Sequence, residues 1–281
     1  MRAEKASHSV RALCRALDVS PSGFYAWQRR PDSARRRHDQ QLRIALRVAH
    51  AESEGSYGSP RLHRAVRAAG WRVGRNRVIR LMQHEQLVGR PPRRWPATTT
   101  IDPLMPAAPN HLAQRFTAPR RNYIWAGDIT AIPTREGWLY LAVLLDLYSR
   151  RVVGWAVDRT MDTRLVLTAW HRAVALRRTA PRLHHSDRGT QYTSRAYQAA
   201  LRAHRVRCSM SGRGRCYDNA VVESFFRTLK TDLQHRVWAT RTEARAHLST
   251  YIEAFYNRRR LHSTLGYRSP ADFERRRHSA A

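Results

Sequence analysis

Acidic residues are scarce in this sequence of 281 residues. It contains 21 Asp and Glu against 52 Lys and Arg, which gives a formal net charge of +31. Such an excess of one sign destabilises a compact chain by self-repulsion unless a polyanion shares its surface. Nucleic acid is the obvious polyanion. Acidic membrane is the alternative, but the sequence has neither a lipidation signal nor a basic amphipathic terminal helix.

Cysteines and long apolar runs are scarce as well. The three cysteines are odd in number and widely spread, which excludes a disulfide framework, and the absence of any CxxC or CxxH pair argues against zinc. The longest apolar run, 139–148, is too short to span a bilayer and carries Asp146. The first ten residues lack the apolar core of a signal peptide. We therefore expect a reduced, cytoplasmic, nucleoid-associated protein without a membrane partner.

Hydrophobic residues make up 42% of the chain, which is enough to bury a sizeable core. In the first segment, Val10, Leu13 and Leu17 form one apolar stripe, and Ser20-Pro21 has the form of an N-cap followed by a first helical residue. Two short helices joined by a tight turn are typical of a helix-turn-helix. An ordinary helical hairpin fits this pattern equally well.

Further helices are expected downstream. A long basic helix is predicted over 34–51, Ser59-Pro60 opens another that Gly70 ends, and a third begins at about Arg75. The third helix suits a position against DNA, although a solvated charged face is the alternative. Its outward-facing bases are Arg75, Arg77 and Arg80.

The character of the chain changes twice after residue 90. Seven prolines between residues 91 and 120 indicate a linker. Beyond it, three strand-like segments precede alternating helices and strands, which predicts a mixed α/β sheet with helices packed on it. The expected units are a helix-turn-helix at 1–50, a second helical DNA-binding segment at 51–95, a proline-rich linker at 96–120, an α/β core at 121–235 and a helical extension at 236–281.

Three acids stand out in the α/β region. Asp128 lies inside a predicted strand, where Asp is disfavoured. Asp187 ends another strand, where ligand groups gather in open α/β sheets, although it also suits a simple turn. Glu223 lies on a predicted helix with Asn219, Arg227 and Lys230 on the same polar stripe. Its alternative role is a surface ion pair with Arg227.

The opposite face of that helix is predicted to be buried, and it carries Val222, Phe225, Phe226 and Leu229. Three carboxylates in a basic domain have a chemical use, because Mg²⁺ prefers carboxylate oxygens together with substrate phosphates and water. Two such ions can activate an attacking oxygen and stabilise a leaving one. His184 and His185 could also bind metal, but a structural or phosphate-contacting role is favoured over a zinc site.

Four stretches resemble one known family. They are "WAGDITAIPTREGWLYLAVLLDLYSRRVVGWAV", "HSDRGTQYTS", "SMSGRGRCYDNAVVESFFRTLKTDL" and "YNRRRLHSTLGYRSPADFE". The chain resembles the second-reading-frame (OrfB) proteins of insertion-sequence transposases of the insertion sequence three family, which are similar to retroviral integrases. The 35 residues between Asp187 and Glu223 match the family spacing, and Lys230 matches its base seven positions after the Glu.

This resemblance implies an RNase H-like core behind an all-α helix-turn-helix region, with Asp128, Asp187 and Glu223 as a catalytic DDE triad. It implies cleavage at transposon ends and 3′-hydroxyl transfer into target DNA, with two Mg²⁺ (or Mn²⁺) ions on the triad. Asp146 is expected to be structural or to lie behind the triad. The expected DNA-binding residues are Asn219, Arg227, Lys230, Arg188, Arg75, Arg77 and Arg80.

The resemblance also implies partners. These are double-stranded DNA, further copies of the chain assembled on that DNA, and the upstream reading-frame product as a fusion. Two other functions remain open from the residues: a DNA-binding regulator that uses only the helical segments, and a plain RNase H-like nuclease. A pure binder gains nothing from three acids that face phosphate, and a plain nuclease does not need the basic N-terminal helices.

Overall fold

A serine starts the second helix, as the sequence predicts, and another serine starts the first. The computed structural model describes residues 8–90, 108–212, 216–234 and 236–278. Helix α1 spans Val10–Ala16 and α2 spans Pro21–Arg29. The Ser9 and Ser20 hydroxyls accept hydrogen bonds from backbone amides in the first turn, which otherwise have no partner inside the helix. The predicted pair of short helices is confirmed, and its DNA-binding role stays a prediction.

Three further helices pack together: α3 (Ala34–Glu52), α4 (Ser59–Ala68) and α5 (Arg75–His84). They bury a shared apolar set, which is Leu42, Leu46, Leu62, Val66, Val78 and Leu81. The predicted boundary at residue 50 falls near the end of α3, whereas the contacts group that helix with α4 and α5. The division of the chain into domains stays a prediction.

Five strands form one mixed sheet, as predicted. They are β1 (Ile124–Thr134), β2 (Gly137–Asp146), β3 (Val152–Asp158), β4 (Leu183–Ser186) and β5 (Arg207–Met210). The spatial order is β3-β2-β1-β4-β5. The first three strands run antiparallel in sequence, and β4 and β5 continue the sheet parallel to β1. This is the RNase H-like arrangement, with β1 at its centre.

Helices cover both faces of the sheet. They are α6 (Thr163–Arg177), α7 (Thr190–Thr193), α8 (Arg195–Ala203), α9 (Ala220–Asp232), α10 (Arg241–Ser249) and α11 (Pro270–His278). A 3₁₀ turn at Cys216–Asn219 precedes α9, a π-helical segment at Thr250–Tyr256 extends α10, and a 3₁₀ turn occupies Ser263–Leu265. One face of the sheet packs on α6 and α8 around Trp125 and Trp170, and the other packs on α9 and α10.

The helices α3–α5 are held to the C-terminal part of the chain by Tyr57 and Arg61. The Tyr57 hydroxyl donates to the Arg259 carbonyl at 3.2 Å and accepts from the Leu261 amide at 2.9 Å. The Arg61 Nε donates to the Leu261 carbonyl at 2.9 Å. These contacts and the shared apolar cluster join the two regions in one packed structure.

Half of the predicted linker is anchored to the core. Residues 108–120 form no helix or strand, yet Leu112 is buried and the amide of His111 donates to the Ser209 hydroxyl at 2.9 Å. The rest of the predicted linker, 96–107, lies outside the described residues. Across the described ranges, no helix is long and apolar enough to cross a membrane.

A buried ion network closes the far edge of the core. Arg177 on α6 donates to Asp146 at 2.9 Å and to both oxygens of Glu274 on α11 at 2.7 and 2.9 Å. Asp146 also accepts backbone amides of Asn122 and Tyr148. The structural role predicted for Asp146 is therefore confirmed, since all of these contacts hold the end of β2 in place.

Candidate active site

Asp128 lies on the central strand β1, and its side chain is half-buried. Its Oδ1 accepts the backbone amide of Ile129 at 2.8 Å, which fixes the carboxylate against the strand. The residue before it must be small: a Cβ on Gly127 would lie 3.0 Å from both the His184 ring and the Leu144 side chain. The tight packing below Asp128 makes its position rigid.

Asp187 follows β4, the strand that runs parallel to β1 beside it. The register pairs Trp125 with His184 and Ala126 with His185, so its continuation by two residues sets Asp187 level with Asp128. The Asp187 carboxylate accepts the amide of Gly189 at 3.0 Å. Two neighbouring strands thus bring the first two predicted acids to one point on the sheet.

Glu223 lies in the first turn of α9, which packs across β1. The predicted apolar face is confirmed, because Val222, Phe225, Phe226 and Leu229 are all buried. Glu223 and Lys230 are half-buried, and Arg227 is exposed. The helix therefore presents the carboxylate of Glu223 and the amine of Lys230 to the strand that carries Asp128.

The electrostatics of these residues are coupled. Burial raises the pKa of Asp128 well above its usual range, and the negative charges of Asp187 and Glu223 raise it further, while Lys230 opposes them. Burial also raises the pKa of Glu223 against the opposing charge of Arg227. Burial lowers the pKa of Lys230, and Asp128 opposes that change. The charges of Asp187, Glu223 and Lys230 therefore all act on the carboxyl group of Asp128.

The donor chemistry of this site fits a divalent cation. Carboxylate oxygens are the ligands that Mg²⁺ and Mn²⁺ take, and a cation would offset both the burial and the negative charges that raise the pKa of Asp128. The acids are not already gathered at ligand distances: no group of three or more His, Cys, Asp or Glu side chains among the described residues is close enough to hold a metal.

Asn219 is used inside the protein. Its side chain is 4% exposed, and its Nδ2 donates to the Gly127 carbonyl at 3.2 Å. Its Oδ1 is buried without a partner among the described residues. The residue is the N-cap of α9 and ties that helix to β1 beside Asp128. Its predicted DNA contact stays a prediction, and this hydrogen bond competes with it.

The predicted DNA-binding arginines differ in what they contact. The Arg188 Nε donates to the Ser211 carbonyl at 2.7 Å, which joins the turns after β4 and β5. Arg77 and Arg80 both pair with Asp39 of α3, at 2.7 and 2.9 Å. Arg75 is exposed. Their DNA contacts stay predictions, and for Arg77 the ion pair with Asp39 competes with that use.

Asp218 is a buried acid that sequence reasoning missed. Its oxygens accept from the Asn110 and Gln114 side chains at 2.8 and 3.1 Å, and from the Gly212 amide at 2.8 Å. These bonds connect the segment before β1 and the loop after β5 to the start of α9. Asp218 therefore helps to position the helix that carries Glu223. The "CYDN" segment offered no periodic pattern that could reveal this.

The two histidines before Asp187 are structural. Both are fully buried, and burial lowers their pKa values to about 3 for His184 and about 4 for His185, so both are neutral. His184 Nε2 lies 3.0 Å from the Tyr197 hydroxyl, and His185 Nδ1 lies 2.9 Å from the Ser209 hydroxyl. The predicted structural role is confirmed, and the alternative of a phosphate contact is excluded by their burial.

Comparisons with known proteins agree with this arrangement. Two family models described as "Integrase core domain" match residues 118–216 and 204–270, and one described as "HTH-like domain" matches 37–95. The transposase InsF for insertion sequence IS3A of Escherichia coli (strain K12) is 42% identical over 275 residues, covering 96% of this chain and 95% of that protein. The chain belongs to the IS3 family of transposases.

A second relative of this IS3-family chain is the uncharacterized 31 kDa protein of insertion element IS600 from Shigella sonnei. It is 39% identical over 271 residues, covering 96% of this chain and all of that protein. Among solved structures, the catalytic core of BIV integrase is similar over 57% of this chain and 97% of its own, with 16% identity and a TM-score of 0.41. A chain of the simian T-cell lymphotropic virus intasome covers 82% and 74%, with 15% identity and a TM-score of 0.46.

Proposed function

We propose that this IS3-family chain is a DDE enzyme that cleaves DNA at the ends of its element and transfers the freed 3′-hydroxyl into target DNA. The observation that carries the proposal is geometric: α9, which bears Glu223, packs across β1, and Asp187 follows β4 at the level of Asp128. Asp187 and Glu223 both raise the pKa of Asp128 in a chain that otherwise has an excess of bases. Acidic clusters of this kind are typical of functional sites.

In this proposal Asp128, Asp187 and Glu223 are the ligands of two Mg²⁺ or Mn²⁺ ions. Such ions would activate the attacking oxygen and stabilise the leaving one. Asp128 and Asp187 are held by backbone amides, so they keep a fixed orientation toward the scissile phosphate. Glu223 moves with α9, which Asn219 ties to β1 at Gly127.

The bases around the acids have a separate role. Lys230 is half-buried beside Asp128, and Arg227 is exposed one turn after Glu223, so both can hold phosphates of the DNA strand being cut. Arg75, exposed on α5, is the best placed of the three α5 arginines to contact DNA. We also propose a homo-oligomer on paired element ends, with the upstream reading-frame product as a fusion partner, in the nucleoid.

The proposal is tested by strand cleavage of a duplex that carries the element's own end, with Mg²⁺ or Mn²⁺ and with or without the upstream product. Asp187→Asn should keep DNA binding and lose metal-dependent cleavage. Asp158→Asn is the matched control, because Asp158 ends β3, where it accepts the Arg159 amide at 2.7 Å and pairs with Arg164 at 2.9 Å, and it is not one of the three acids. Equal cleavage by wild type and Asp187→Asn would overturn the assignment. Cleavage confined to RNA–DNA hybrids would favour the nuclease alternative.

A further inference from the structure

Three arginines line a cavity beside α9. The cavity has a volume of about 260 Å³ and lies between α9 and the segment that follows the π-helical turn. Its basic lining is Arg61, Arg150, Arg260 and His262. At about 30 Å³ per molecule, this volume corresponds to roughly eight or nine waters, so a small ion fits with part of its hydration.

Two residues that line the cavity carry buried nitrogens without a partner. Arg150 donates from one terminal nitrogen to the Phe116 carbonyl at 3.0 Å, but its Nη1 is buried without a partner among the described residues. The same holds for the Nε2 of His262. Buried polar groups are nearly always hydrogen-bonded, so the residues that line this cavity are left with hydrogen-bonding capacity that the described part of the chain does not use.

The positive charge here is also poorly balanced. Arg260 pairs with Asp232 at 2.9 Å, but no carboxylate of the described residues lies within ion-pair distance of Arg61 or Arg150. Burial lowers the pKa of both arginines, and burial together with the three arginines lowers the pKa of His262 to about 3. Half-buried cations without a direct ion-pair partner are costly, even with Asp232 near Arg61 and Asp146 near Arg150, which favours binding of an anion from outside.

We propose that this cavity binds a phosphate group. Guanidinium groups match the oxygens of a phosphate, and the hydroxyls of Ser263 and Thr264 at the mouth supply further donors. The α9 residues that line the cavity, Ser224 and Thr228, lie about 100° round the helix from Glu223 and Arg227. A phosphate of DNA held here would fix the strand next to the acids, which extends the proposed function; free phosphate is the other source of the same chemistry.

The first test is thermal unfolding of the full chain in sodium phosphate and in sodium chloride at matched ionic strength. Phosphate should raise the wild-type midpoint by about 2–4 °C above chloride, the shift that goes with roughly one kcal/mol in a chain of this size. Arg150→Gln should lose this response, and Arg159→Gln, which removes an exposed arginine outside the cavity, should keep it.

A second variant covers the case in which Arg150→Gln fails to fold. Ser263→Asp places a carboxylate at the mouth of the cavity, so it should raise the midpoint in chloride and abolish the phosphate response. Ser263→Ala is its control: it removes one hydroxyl without adding a charge, so it should keep the wild-type midpoint in chloride and most of the phosphate response. If phosphate gives no stabilisation and Ser263→Asp gives none either, the proposal is wrong.

The salt dependence of DNA binding distinguishes a DNA phosphate from free phosphate as the ligand. The slope of log affinity against log salt for a duplex should fall by about one in Ser263→Asp relative to Ser263→Ala if a DNA phosphate occupies the cavity. A phosphate response with an unchanged slope would instead identify free phosphate as the ligand. Neither measurement uses strand cleavage, so failure of the phosphate-site proposal is distinguishable from failure of the proposed catalytic function.

Discussion

Replacing Glu274 with Gln is expected to destabilise the protein by about 3 kcal/mol at neutral pH. Its carboxylate accepts from Arg177 twice, from Ser149 at 2.7 Å and from Arg151 at 2.8 Å. These donors lower its pKa from 4.5 to about 2 despite burial. At about 1.4 kcal/mol for each tenfold change in acidity, this lowering of the pKa corresponds to about 3 kcal/mol, and removing one partner from a buried ion pair has a similar cost.

The neighbouring acid should behave differently, although it is the more deeply buried of the two. Burial raises the pKa of Asp146, and the negative charge of Glu274 contributes to this rise, so its ionised form is not favoured by folding. Asp146→Asn can still accept from one of the two backbone amides that bind it now. We expect it to cost roughly 1 kcal/mol, the scale of a single hydrogen bond.

The pH dependence gives a second check with a definite sign. The folded pKa of Glu274 is depressed, so its stabilisation is present above about pH 4.5 and is lost as pH falls toward 2. Urea unfolding followed by tryptophan fluorescence from pH 7 to pH 3 should show this loss in wild type and a flatter profile in Glu274→Gln. If Asp146→Asn costs as much as Glu274→Gln, the network is not organised around Glu274.

Three further predictions concern the site and its support. Asp128→Asn should raise the melting temperature of the metal-free protein above pH 7, because the raised pKa of folded Asp128 means that its ionisation costs stability as pH rises. The same change should abolish stabilisation by Mg²⁺, and an unchanged shift of the melting temperature by Mg²⁺ would refute the prediction. Asn219→Ala should slow cleavage without changing the salt slope of DNA binding, since the side chain contacts Gly127, and a reduced slope would support the DNA-contact hypothesis. Tyr57→Phe should cost about 1–3 kcal/mol and speed hydrogen exchange in α3–α5, whereas Tyr25→Phe, at an exposed tyrosine, should not.

Local patterns predicted the elements of this fold well. The predicted order of three strands followed by alternating helices and strands is observed in the core, because alternating or 3.6-residue apolar patterns and Ser-Pro starts act over short stretches of chain. The buried face of α9 followed from the same geometry. For this reason the helical pattern alone predicts Glu223 on the other face of α9.

Long-range contacts explain what the patterns missed. Helical geometry predicts Asn219 on the same stripe as Glu223. That geometry does not hold at an N-cap, and the Asn219 side chain binds the Gly127 carbonyl instead. Arg77 was expected to face DNA, yet its partner Asp39 is 38 residues away in sequence. Asp218 likewise binds side chains more than a hundred residues before it.

The few acids of this chain fall into two groups that the same physics separates. Glu274 and Asp232 each lie against arginines, and both hold segments of the fold together. Asp128 instead lies near two other acids, in a chain with more than twice as many bases as acids. Such a grouping costs stability when the acids are ionised, and many arginines could have neutralised it. It is therefore best explained by a cation that belongs to the reaction, which is why the acids next to one another, rather than the paired ones, are the candidates for catalysis.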